Sequence, residues 1–138
     1  MNAQTLLEKI HILELQIERI AMKRDSLRSL AESVTTVIRG TNVSGSHNDR
    51  KLEDLLNESA ELDLKIQSLT LELSELRKSF ISCLEVIGNP VAEKIIMLRN
   101  LEKKSWSEIA KMMQYSASHI RRLYESSWLL VIQKDDTQ

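Results

Sequence analysis

The stretch SWSEIAKMMQYSASHIRRL, residues 105–123, combines two helix-start signals with a short polar turn between them. Ser105 and Glu108 have the spacing of a capping box, in which a hydroxyl and a carboxylate satisfy the first amides of a helix. The segment Gln114-Tyr115-Ser116 then interrupts the apolar pattern, and the Ser116 hydroxyl is a second N-cap candidate. The stretch therefore predicts two short helices joined by a tight turn, the second starting at Ala117.

A further helix is predicted just before this stretch. Asn89-Pro90 ends the preceding helical pattern, because proline cannot extend a helix and restricts the residue before it. Residues 91–101 have the apolar spacing of a helix that buries one side, and Glu102-Lys103-Lys104 is a polar connection. These segments predict a small three-helix domain over residues 89–138.

Helical spacing divides the last helix of this domain into two faces. Its inner face is predicted to comprise Ile120, Leu123, Tyr124 and Ser127. The residues predicted to point at least partly outward are Ala117, Ser118, His119, Arg121, Arg122 and Glu125.

The first part of the chain has two apolar stripes with alternating steps of three and four residues. A seven-residue period sustained over several heptads favours coiled-coil packing over an ordinary amphipathic helix. The stripes are Leu6, Ile10, Leu13, Ile17, Ile20, Leu27, Ala31, Val34 and Ile38, then Leu52, Leu55, Leu62, Ile66, Leu69, Leu73, Leu76, Phe80, Cys83 and Ile87. With a polar, glycine-containing loop at about residues 40–48, they predict an antiparallel coiled-coil hairpin over residues 1–88.

Additional apolar residues flank both stripes, and two polar residues interrupt them. The flanking residues are Leu7, Ile12, Leu15, Leu30, Val37, Leu56, Leu64, Leu71 and Leu84. Because a lone hairpin would leave them in water, we expect two hairpins to associate as a four-helix homodimer or a higher oligomer. Arg24 and Ser59 either specify register or lie at a solvent-accessible edge of the seam, and the second interpretation is preferred.

Composition places the chain among all-α proteins, with three Gly and one Pro in 138 residues. No apolar run approaches a membrane span and no leader pattern is present, so we expect a cytoplasmic protein without membrane partners. One cysteine and isolated histidines, such as His11 and His47, predict neither a metal site nor a cofactor. The absence of a nucleophile–base pair, a carboxylate pair in a plausible pocket and a phosphate-binding glycine loop predicts no catalytic residues and no enzyme.

Charge is distributed unevenly along the chain, whose formal net charge is −1. Residues 1–88 have 11 Lys and Arg against 14 Asp and Glu, a net charge of −3, and residues 89–138 have 8 against 6, a net charge of +2. Without the acidic tail, residues 89–134 have 8 against 4, a net charge of +4. This positive segment is compatible with contacts to phosphates.

The predicted helix, turn and helix point to double-stranded DNA as a partner. Such a scaffold places the start of its second helix in a major groove, where side chains meet base edges. Small residues permit close approach, while histidine and arginine donate to bases or phosphates, and lysines contact the DNA backbone. The predicted DNA-binding residues are Lys104, Ser105, Lys111, Ser116, Ala117, Ser118, His119, Arg121 and Arg122.

Residues 95–101, 105–110 and 115–123 resemble the C-terminal DNA-binding domain of bacterial sigma factors. The whole layout resembles phage and prophage late-gene transcription regulators of the ArpU and RinA type. In these proteins the third helix reads promoter DNA. The resemblance therefore implies a DNA-reading role for Ser116, Ser118, His119, Arg121 and Arg122. The chain differs from the sigma pattern at residues 117–119, where charged residues are usual, and it has no recognisable polymerase core-binding region.

Three functions follow from this pattern. The first is a sequence-specific DNA-binding transcription regulator, activating phage or prophage genes, with RNA polymerase as a further partner. The second is a coiled-coil interaction protein that binds RNA polymerase or another regulator without DNA affinity of its own. The third is a DNA-packaging protein of the small terminase kind, although those proteins usually have the DNA-binding unit first.

Overall fold

The computed structural model describes residues 2–40 and 46–136. Within these ranges the chain is all-helical, as the composition predicts, with a long pair of N-terminal helices that pack together. A 3-10 helix, Leu84–Ile87, follows the long pair. The α-helices of the described chain are α1 (Ala3–Gly40), α2 (Ser46–Cys83), α3 (Pro90–Asn100), α4 (Trp106–Met113) and α5 (Ala117–Asp136).

The chain forms two compact units. The pair unit comprises Ile12–Leu73, and the head unit comprises Met1–His11 together with Ser74–Gln138. The head unit therefore includes the first turns of α1 and the last turns of α2 as well as α3–α5. The predicted boundary between two domains, at residues 88 and 89, stays a prediction.

The seam of the pair unit follows the predicted stripes. Buried side chains at stripe positions include Leu13, Ile20, Ala31 and Leu73. The last turns of α1 lie beside the first turns of α2, because one groove is lined by residues 30, 33, 34 and 37 and by residues 48, 51 and 55. A loop was predicted at about residues 40–48, but Gly40 belongs to α1 and residues 46–48 belong to α2. Residues 41–45 of that loop lie outside the described residues.

Two polar residues interrupt the seam, and Ser59 is more enclosed than expected. Ser59 is buried at 4% exposure, which corrects its preferred placement at a solvent-accessible edge. The Arg24 side chain is 22% exposed and donates to Asp63 at 3.0 Å, and Arg28 donates to the second oxygen of the same carboxylate. Hydrogen bonds to Asp63 and Asp25 raise the pKa of Arg24 above its ordinary value. A polar layer thus joins α1 to α2 across the seam.

The second long helix ends earlier than its stripe predicts. α2 stops at Cys83, the 3-10 helix follows, and Gly88 takes the left-handed conformation at φ 65°. Asn89 then caps α3 by accepting from the amides of residues 91 and 92, and Pro90 occupies the first turn, where its missing N–H costs nothing. The break predicted at Asn89-Pro90 is confirmed, although the α-helix has already ended six residues earlier.

The head unit is built around a small apolar core. Ile95, Leu98, Ile109 and Ile120 form its buried centre, so α3, α4 and α5 each contribute. α5 also packs against the 3-10 helix, and it continues to Asp136. Other buried apolar residues of the unit are Ala3, Leu6, Ile10, Phe80, Leu84, Ala92, Ile96 and Val131.

Candidate nucleic-acid interface

Local hydrogen bonds determine where α4 begins. The Ser105 hydroxyl accepts from the Glu108 amide at 3.1 Å, which confirms the predicted N-cap. Just before it, Lys103 has a positive φ of 57° and reverses the chain after α3. The Arg99 guanidinium closes this connection by donating to the Lys104 carbonyl at 3.0 Å. A side chain of α3 therefore holds the segment that leads into α4.

A second set of local bonds makes the turn between α4 and α5. Gln114 adopts the left-handed conformation at φ 61°, and the Tyr115 amide donates back to the Ala110 carbonyl at 3.1 Å. The Ser116 hydroxyl then accepts from the His119 amide at 3.2 Å. Both predicted helix starts, at Ser105 and Ser116, are therefore observed, and a turn of three residues separates α4 from α5.

α5 presents the two faces that its sequence predicts. Ile120 is fully buried and Ser127 is 6% exposed, while Leu123 and Tyr124 are half-buried. The outward residues are all exposed, namely Ser116, Ala117, Ser118, His119, Arg121, Arg122 and Glu125. One side of the helix is thus fixed in the core, and the other side leaves its first two turns accessible.

Trp106 connects α3, α4 and α5 at the edge of this exposed surface. The guanidinium carbon of Arg99 lies 4.3 Å from the centroid of the indole, and that of Arg121 lies 5.8 Å from it. Both distances are within the range of cation–π attraction. Sequence spacing did not indicate that Arg99 and Trp106 lie near Arg121, because their contacts join residues from three helices.

Aromatic contacts continue along the inner side of α5. Tyr124 meets Trp106 edge-on at 5.0 Å and stacks against Trp128 at 6.2 Å, and Trp128 in turn lies 6.3 Å from Phe80. The Tyr124 hydroxyl donates to the side-chain carbonyl of Asn100 at 3.2 Å. The aromatic pairs hold α5 against α4 and the end of α2, and the hydrogen bond to Asn100 joins α5 to α3.

The turn also has an exposed aromatic contact. The Tyr115 and His119 rings lie 5.1 Å apart with a tilt of 60°, so the histidine packs against the turn that precedes its helix. The Tyr115 side chain is nevertheless 43% exposed. Tyr115 was not among the predicted site residues, although its place beside the N-cap Ser116 is visible in the sequence.

The remaining predicted site residues lie at different places around α4. Ser105 and Lys104 are at its start, where Lys104 is half-buried and Ser105 is exposed. Lys111 is exposed on the last turns of α4. Trp106 contacts Arg121, which joins the start of α4 to α5. Lys111 is not part of this contact.

In the described part of the chain, no group of three or more His, Cys, Asp or Glu side chains is placed to hold a metal ion. Of the helices that the structure describes, none combines the length and apolar character needed to cross a membrane.

No family model, curated protein or solved structure matches this chain.

Proposed function

We propose that the protein is a sequence-specific regulator of transcription that binds double-stranded DNA, with the start of α5 in the major groove. The observation that carries this proposal is that α5 has one face in the core and the opposite face exposed. Its inner face is fixed against α3 and α4 by Ile120, and its exposed first turns present Ser118, His119, Arg121 and Arg122. A helix that is rigidly supported on one side and polar and basic on the other suits base reading.

Each exposed side chain at the start of α5 suits a particular DNA contact. Ala117 and Ser118 are small enough for the helix to approach base edges, including a thymine methyl group. His119 and the two arginines donate to base acceptors or phosphates. Ser105 and Lys104, at the start of α4, would contact the sugar–phosphate backbone. The resemblance to phage and prophage late-gene regulators supports the same assignment.

We further propose that the long helix pair joins two copies of the chain. The exposed large apolar residues of the pair unit are Ile12, Leu15, Met22, Leu30 and Val37 on α1 and Leu56, Leu64 and Leu71 on α2, each 50–67% exposed. At 100° per residue, each helix has its set within an arc of about 80°, so these residues form stripes. Exposed apolar surface of this kind marks an interaction site in a protein.

Pairing of two chains strengthens DNA binding without new contacts. One head has a small interface, so a single head binds weakly, whereas two linked heads bind adjacent half-sites at high effective concentration. The net charge of +4 over residues 89–134 adds attraction that depends on salt. We propose that the protein acts in the cytoplasm as a non-enzymatic regulator, with RNA polymerase as a further partner.

The experiment that tests this proposal selects DNA from a random duplex pool with the intact protein. The enriched sequence is then measured against the parent and the variants Arg121→Ala and Arg122→Ala at two salt concentrations. Arg50→Ala is the matched control, because Arg50 is exposed on α2 and lies outside the proposed interface. We expect both α5 variants to bind more weakly and the control to bind like the parent. Parent-like binding by both α5 variants would exclude α5 as the reading element.

A second candidate function is protein binding without DNA affinity. It is favoured by Leu129 and Leu130 on α5, which are 56% and 49% exposed although they follow the aromatic contacts that fix the helix. Adjacent exposed leucines suit a protein partner such as RNA polymerase. If the selection enriches no sequence while Leu129→Ser abolishes binding to polymerase, this second function replaces the first.

A further inference from the structure

We infer that Trp106 is a positioning residue, which holds the Arg121 side chain in the orientation that contacts a DNA phosphate. The inference rests on the proposed function, since it assigns a role within the proposed interface. It goes beyond that function by assigning different roles to the adjacent residues Arg121 and Arg122.

The Trp106 ring is itself firmly held. It is half-buried, packs on the core around Ile109 and meets the edge of Tyr124 at 5.0 Å with a 74° angle between the rings. The Arg99 guanidinium lies 4.3 Å from the ring centroid and also donates to the Lys104 carbonyl. The indole therefore offers a fixed π surface rather than a mobile one.

The guanidinium of Arg121 lies 5.8 Å from the centroid of this surface although the residue is exposed. An unrestrained arginine on a helix samples many rotamers and loses that freedom when it binds. Attraction to the fixed indole already directs the Arg121 side chain toward the start of α4. Less rotamer freedom is therefore lost when Arg121 binds DNA. Arg122 is the next residue of α5 and projects about 100° away, so it does not share this direction.

The direction of Arg121 indicates which contact it makes. With the first turns of α5 in a groove, the start of α4 lies at the side of the groove, near the backbone of the DNA. Arg121, held toward Trp106, is then the residue that contacts a phosphate. Arg122 is left for a base edge. Arg121→Ala should therefore weaken binding to all sequences and lower the salt slope by about one, while Arg122→Ala should relax preference at one base pair.

The contact is first tested in the free protein by NMR of the arginine side chains. Ring currents of Trp106 should shift the Arg99 resonances most, those of Arg121 less and those of Arg122 least. Trp106→Leu should remove the first two shifts, and Trp106→Phe should restore them in part because an aromatic face remains. Arg121 resonances that coincide with those of Arg122 in the parent would overturn the inference, whether or not DNA binds.

The positioning role is then tested by a double-mutant cycle for DNA affinity in the intact protein. Trp106→Leu should weaken binding about three- to tenfold when Arg121 is present. In the Arg121→Ala background it should have little further effect. Arg122 is the matched control, since Trp106→Leu and Arg122→Ala should weaken binding independently. Rescue by Trp106→Phe and thermal unfolding of each variant distinguish positioning from a loss of folding.

The outcomes separate the two proposals. If the parent binds DNA and Trp106→Leu weakens it equally with and without Arg121, the positioning role is wrong and the proposed function stands. If the parent enriches no DNA sequence, the proposed function fails and the assigned role fails with it, even when the Arg121 shift is observed.

Discussion

Ile109→Ala is the sharpest test of the core that supports α5. Ile109 is fully buried and belongs to the same cluster as Ile95, Leu98 and Ile120. The substitution keeps α4 helical, because alanine has the highest helix propensity, and it removes three carbons from the junction of three helices. The loss should therefore appear as a packing effect in the head unit.

The size of the effect follows from the buried carbons. Three carbons at about 0.8 kcal/mol each give about 2.4 kcal/mol of lost transfer free energy. Incomplete collapse of the cavity adds to this value, and the better helix propensity of alanine offsets about 0.4 kcal/mol. We expect the free energy of unfolding to fall by about 2–4 kcal/mol. Met112→Ala is the matched control in the same helix, since Met112 is 54% exposed and its loss should cost at most about 1 kcal/mol.

Urea unfolding followed by tryptophan fluorescence measures this difference. Both tryptophans of the chain, Trp106 and Trp128, belong to the head unit, so their emission reports that unit. With a denaturant slope of about 1–2 kcal/mol/M, Ile109→Ala should lower the midpoint by at least about 1 M. Equal midpoints for Ile109→Ala and Met112→Ala would refute the assignment of Ile109 to the core.

Three further predictions use other features of the structure. Ser105→Ala should destabilise the head unit by about 1 kcal/mol through loss of the observed cap, while Ser107→Ala should have little effect, and equal thermal midpoints would contradict this. Gln114→Gly should raise the free energy of unfolding by about 0.5–1 kcal/mol, because Gln114 has a positive φ of 61°, and a lower midpoint would count against this reason. Leu64→Glu with Leu71→Glu should lower the mass measured by light scattering without loss of helical circular dichroism, since both residues lie on the exposed apolar stripe of α2. An unchanged oligomeric mass would exclude this stripe as the interface.

Features that depend on neighbouring residues could be predicted from the sequence. The caps at Ser105 and Ser116 each satisfy an amide three residues away, so the hydroxyl and the helix start occur together in the chain. The inner and outer faces of α5 follow from helical periodicity alone. The same holds for most seam positions of α1 and α2, because a sustained seven-residue period requires one continuous contact line.

The polar layer and the ends of α2 and α5 could not be predicted from local sequence patterns. Whether Arg24 lies in water or pairs across the seam depends on which residue of α2 is opposite it, and the structure places Asp63 there. The end of α2 at Cys83 likewise has no strong local signal, since the apolar stripe continues to Ile87. The continuation of α5 to Asp136 accompanies burial of Val131 and packing on the 3-10 helix, which are contacts between distant parts of the chain.

Local sequence patterns were enough to predict that this chain is helical, where the short helices start and which side of α5 is exposed, because these properties arise within one or two helical turns. Tertiary packing of the head unit brought Arg99 and Arg121 to Trp106, and Phe80 to Trp128. These contacts join residues that are up to 48 positions apart, from residue 80 to residue 128. Their formation depends on how the end of α2 and helices α3, α4 and α5 pack together, and helical periodicity has no information about that packing.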